Sequence, residues 1–163
     1  MQTRFREPQR ASAERQTRRN DRGRRVLPSG RRRKGLGGTW KAWLSEFRSS
    51  PSTRFTHSTV PYRLLDGSLI ANDWNALTSG TIAHPINIFE DGTPVPPSVV
   101  HEVWTGTTPS GTYSGNSCSN WTNDTMSGST ADVGLTNQVG TGWTDIYRQF
   151  CNRTTLHVYC FEQ

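Results

Sequence analysis

Lysine is almost missing from this chain, with two lysines against 17 arginines in 163 residues. Cysteine is scarce too, and its three copies are an odd number that disulfides within one molecule cannot use up. No stretch approaches the roughly 18 consecutive apolar residues that a helical membrane span needs, so none is expected. Residues 1–34 have no apolar h-region, and no secretory signal is expected there. Helical periodicity never persists beyond about two turns, which excludes a helix bundle. There is no Gly-x-Ser-x-Gly nucleophile elbow, and the four histidines, His57, His84, His101 and His157, stand at no metal-ligand spacing. The chain is therefore read as non-enzymatic, with no cofactor and no metal.

What is present is unevenly divided. Residues 1–34 carry 12 Arg and one Lys against three acidic residues, whereas 35–163 carry six basic and ten acidic residues. The overall net charge of +6 describes neither part. Phe5, Val26 and Leu27 are nearly the only large apolar residues before Gly35, too few to offset the entropy of ordering the segment. We expect an Arg-rich arm without fixed structure over 1–34. It reads in three ways: an arm that binds nucleic acid by releasing counterions, a solvated tail, or an out-of-frame translation. The last reading rests on codons, because GC-rich DNA read in a wrong frame yields Arg, Pro, Gly, Ser and Ala with scarcely any Lys.

Beyond Gly35 the signals are those of a β-rich domain, and 129 residues are enough for one core. Thr39 to Leu44 alternates as a strand, Ser45 to Ser52 turns, and Thr53 to Thr59 reads as loop or edge. Tyr62 to Ala71 is a hairpin signal, because Asp66-Gly67 supplies the positive φ angles of a tight primed turn. A short helical turn capped by Asn72 or Asp73 follows. Pro85 to Phe89 reads as a strand before a second Asp-Gly turn at Asp91-Gly92. Pro94, Pro96 and Pro97 keep the next piece out of any central strand, and Val99 to Thr105 resumes β structure. Thr154 to Glu162 alternates Leu156, Val158 and Cys160 with His157, Tyr159 and Phe161, apolar on both faces, as in a central strand. Cys160 should thus be buried. Three buried thiols are one reading of the cysteines, and Cys151 and Cys160, parted by a polar turn, need not be partners.

The run from Gly35 to Gln163 includes GTWKAWLS, SPSTRFTHS, PYRLLDGSLIANDW, PINIFEDG, VWTGT and YCFEQ, with Cys118, Trp121, Cys151 and Cys160 in order. It resembles a bacterial domain family of unknown function, known from leptospires, in the C-type-lectin-like superfamily close to endostatin. The resemblance implies an α+β, mostly β fold and a Cys118–Cys151 disulfide. It also implies an outer pair joining an N-terminal helix to the last strand, of which only Cys160 is matched. The chain departs from the pattern there: the helix and first cysteine are missing, which leaves Cys160 over and one face of the sheet without its cover. A secreted or cell-envelope location follows from the resemblance.

Lectin-like domains that bind calcium use a Trp-Asn-Asp triplet and a Glu/Gln-Pro-Asp/Asn loop. Trp121-Thr122-Asn123-Asp124 is similar to the first but lies after Cys118, and the second has no counterpart. Calcium takes about six to eight oxygen ligands, so the acidic pairs Glu90-Asp91 and Asn123-Asp124 read as turns. The implied function is binding of glycan or of a matrix or host protein through the loops 49–58 and 106–132. Arg54, His57, Tyr113, Trp121, Asn123 and Asp124 are the candidate ligand-facing residues. The alternative partner is nucleic acid, through the basic arm alone.

Overall fold

The computed structural model describes residues 2–6, as backbone, together with 37–125 and 128–163. The elements are β1 (Gln2–Arg6), β2 (Trp40–Ala42), α1 (Pro51–Arg54), β3 (Tyr62–Leu64), β4 (Leu69–Ala71), α2 (Trp74–Leu77), β5 (Glu102–Trp104), β6 (Thr130–Leu135), β7 (Tyr147–Phe150) and β8 (His157–Glu162). The fold is α+β and mostly β. Among the described residues no helix is long and apolar enough to cross a membrane.

All eight strands among the described residues join one sheet in the order β4-β3-β1-β8-β5-β6-β7, with β2 also paired to β8. The last strand is the central one. Antiparallel β1 lines one of its edges; parallel β5 and then antiparallel β2 line the other. The alternation read from the sequence sorts its side chains between two cores. Tyr159 and Phe161 enter the larger one with Trp43, Phe55, Tyr62, Leu64 and Trp143. Leu156 and Val158 enter the smaller one with Trp104, Val133, Cys118 and Cys151.

Trp43 is fully buried at the centre of the larger core. Its ring lies 5.0 Å from that of Trp143 and 5.4 Å from that of Phe161, spacings at which aromatic pairs add to the burial energy. The indole N–H donates to Thr144 Oγ1 at 2.7 Å, and Thr144 Oγ1 donates to the Thr107 carbonyl at 2.9 Å. Ser45 and Thr107 share a hydroxyl bond of 2.8 Å beside them. This buried Ser/Thr chain satisfies polar groups that would each cost about 1–3 kcal/mol if left bare.

Several expectations change in detail. Gln2–Arg6, within the segment expected to be unstructured, is a strand: it pairs antiparallel with β8 and parallel with β3. Composition argued against a packed core there, but strand pairing runs through the backbone, and β3 and β8 present unmatched edges between which a strand fits. The rest of that arm lies outside the described residues. Of the two readings for Thr53 to Thr59, loop holds for 55–59, while its start belongs to α1, with Pro51 in its first turn and Ser50 N–H donating to Thr53 Oγ1 at 3.1 Å. Both Asp-Gly turns form, but neither is a primed two-residue turn. In each Asp-Gly pair only the glycine, Gly67 or Gly92, has positive φ, and its N–H closes a turn onto the carbonyl three residues back, at Leu64 or Phe89. Asp66 and Asp91 accept from the backbone two residues on. Pro85 to Phe89 forms no named strand among the described residues, and Ile88 makes a bridge with Pro94. Asp73 caps α2, accepting from Ala76 N–H at 2.7 Å.

Candidate functional site

Between β5 and β6, Cys118 is tied to Cys151 by a disulfide that closes a separation of 33 positions with Cα atoms 5.6 Å apart. The implied pairing is thus present. Cys160 lies outside it and is only 6% exposed, so the sheet is covered at this position. Gly106 starts the loop at φ 54°, and a Cβ there would meet the Asn116 carbonyl at 2.9 Å and Trp121 Cζ2 at 3.1 Å. Only glycine allows the two loop ends to approach so closely.

Cys118, Ser119, Asn120 and Trp121 all have positive φ, at 50°, 55°, 58° and 63°. Four consecutive L-residues other than glycine thus form one left-handed helical turn, at about 1–2 kcal/mol per residue. Strain on this scale persists only where surrounding bonds over-determine it. Here Trp121 N–H donates to the Ser117 carbonyl at 2.6 Å, and Asn120 N–H donates to Ser117 Oγ at 3.2 Å. The Trp121 indole reaches across to the Ser45 carbonyl at 2.9 Å, while the disulfide fixes the first residue. Asn120 Oδ1 accepts the Phe47 N–H at 2.9 Å, which docks the tight turn between the bridged residues Glu46 and Ser49 against the strained turn.

The result is an exposed aromatic surface on a rigid base. Phe47 is 67% exposed, Tyr113 meets it edge-on at 6.5 Å, and the Arg48 guanidinium lies 5.8 Å from its ring centre. Ser119 and Asn120 are exposed beside them. Of the six expected ligand-facing residues, Tyr113 and Trp121 are here, Tyr113 in the surface and Trp121 half-buried as an anchor.

The other four serve differently. Arg54 donates to the Ala42 carbonyl at 3.2 Å and to the Leu44 carbonyl, holding the chain after β2, and burial lowers its pKa. His57 stacks on Trp74 at 4.2 Å and its Nε2 bonds the Ser52 carbonyl at 2.9 Å. Asn123 folds onto itself, its Oδ1 accepting from Thr125 N–H at 2.8 Å, and Asp124 is exposed without joining the surface. Reading the sequence missed Phe47, Asn120 and Ser119. The available signal was an aromatic residue inside a polar turn, together with asparagine, which tolerates the left-handed region.

Among the described residues no group of three or more His, Cys, Asp and Glu side chains is placed to hold a metal ion. Asp132 is buried, accepting from Asn116 Nδ2 at 3.0 Å and from Arg148 Nε at 3.3 Å. Burial and then the charge of Asp132 raise the Asp145 pKa. No family model and no curated protein matches the chain.

Proposed function

We propose that the chain is a C-type-lectin-like binding domain of a secreted or cell-envelope protein. It takes a glycan on the surface of Phe47, Tyr113, Ser119 and Asn120. The observation that carries this reading is the left-handed turn: its strain is opposed by a disulfide and by hydrogen bonds to Ser117 and to the segment 45–47, and it braces an aromatic ring held out in water. A sugar ring presents an apolar face to such a ring and hydroxyls to the neighbouring serine and asparagine. The resemblance stated for residues 35–163 supports the same class. The described residues give the nucleic-acid alternative no comparable support, since of the basic arm they contain only β1.

A glycan array and a panel of matrix proteins probed with wild-type protein and Phe47→Ala test the reading. Saturable glycan binding that weakens at least tenfold in the variant, at unchanged Tm, is expected. Blank results on both surfaces, or binding that follows the basic arm and collapses with salt, would sink it.

A further inference from the structure

A second surface lies on the other side of the disulfide. Cys118 opens the left-handed turn and Cys151 opens the turn between β7 and β8, so one covalent bond ties both turns together. Phe150, Asn152, Arg153, Thr154 and Thr155 line an open surface cleft of about 440 Å³ at this second turn. The backbone of the turn is held by Cys151 N–H donating to the Ser129 carbonyl at 3.2 Å and Arg153 N–H donating to the Phe150 carbonyl at 3.3 Å.

The side chains are idle. None of Asn152, Arg153, Thr154 and Thr155 makes a side-chain hydrogen bond or ion pair among the described residues. Elsewhere in the fold, Asn123 is spent on its own turn, accepting from the backbone two residues on, as Asp66 and Asp91 are on theirs. Phe150 beside them is 48% exposed. Glu102 accepts from both Tyr147 and Gln149 and makes no ion pair with Arg153 among the described residues.

We propose that this cleft binds a carboxylate-bearing sugar, a uronic-acid unit of an acidic polysaccharide. Arg153 takes the carboxylate through paired N–H donors, and Phe150 lies under the apolar face of the ring. Asn152, Thr154 and Thr155 supply donors and acceptors for the ring hydroxyls. A neutral sugar leaves the guanidinium unanswered, and a simple anion leaves the Phe150 ring bare; the acidic sugar uses all five side chains. The inference takes its ligand class from the glycan-binding reading but stands on a different surface.

The test is a titration of the full chain with trigalacturonic acid, and with galactotriose as its neutral counterpart, followed by calorimetry and backbone amide shifts. Trigalacturonic acid should saturate the protein, shift the amides of 150–155 and bind at least tenfold more tightly than galactotriose. Arg153→Gln and Phe150→Ala should each weaken it at least tenfold with Tm unchanged, whereas Phe47→Ala should leave it intact. Equal affinity for the two trisaccharides, no saturable binding, or loss with Phe47→Ala but not Arg153→Gln would each overturn the assignment. Neutral-glycan binding at Phe47 alongside any of these would leave the broader reading standing.

Discussion

Asn120 accepts the backbone N–H of Phe47 at 2.9 Å while its own backbone sits at φ 58°, ψ 43°. One residue thus does two things: it tolerates the left-handed region better than most, and it positions the exposed ring. Asn120→Gly should keep the turn but lose the acceptor, and Asn120→Ala should lose both. The alanine variant should be the less stable of the two, by roughly 1 kcal/mol. Both should speed exchange of the Phe47 amide, measured by hydrogen exchange against wild type.

Gly134 in β6 has no room for a side chain. A Cβ built there would lie 1.9 Å from the Trp143 carbonyl oxygen, on the 3-10 turn Thr141–Trp143 that packs against the strand. Gly134→Ala must push that turn outward and disturb Trp143 in the larger core. A loss of about 3 kcal/mol or more is expected, read as a lower urea midpoint. A shift below about 0.5 kcal/mol would show that the turn yields freely.

Reducing the Cys118–Cys151 bond should cost roughly 2–4 kcal/mol and release the strain of residues 118–121. Peptide mapping of the oxidised protein should recover this pair and not Cys151–Cys160. In Cys118→Ser/Cys151→Ser, glycan binding should fall further than the loss of folded protein accounts for, because both proposed surfaces are anchored on this bond.

His157 is buried against Phe89 and His101, with ring centres 5.8 and 4.6 Å away. Burial, and secondarily the charge of His101, push its pKa down to about 4, below the usual value near 6.5. The unfolded chain therefore takes up this proton first. The stabilisation is complete above about pH 6.5, drains away as pH falls from there to about 4, and is lost below it. Thermal melts across this window should show a decline of roughly 1–2 kcal/mol, flattened in His157→Phe. An unchanged slope in the variant would assign the decline to other groups.

Arg54 illustrates how a plausible ligand residue turns out to hold the scaffold. Arg54→Gln should lower stability by about 1–3 kcal/mol, since it leaves the Ala42 and Leu44 carbonyls without their charged donor. Its ligand affinity per folded molecule should match wild type. A selective loss of affinity would return Arg54 to the binding surface.

Period-two alternation alone made β8 legible as a central strand, because a strand apolar on both faces has to be covered on both. Asp-Gly announced two turns and Asn72-Asp73 a helix start, since these depend on local backbone chemistry. β6 and β7 gave no such signal: Asp132 and Gly134 interrupt the first, and Tyr147–Phe150 is a polar edge strand. The sequence by itself determined the β-rich class, the strand at its centre, and a Cys118–Cys151 bond through resemblance. Tertiary structure alone decided that Phe47 stands out in water docked against the left-handed turn 118–121 and that Gln2–Arg6 enters the sheet. Both depend on partners far along the chain, Asn120 for Phe47 and the edges of β3 and β8 for β1, and no local propensity encodes where those partners will be.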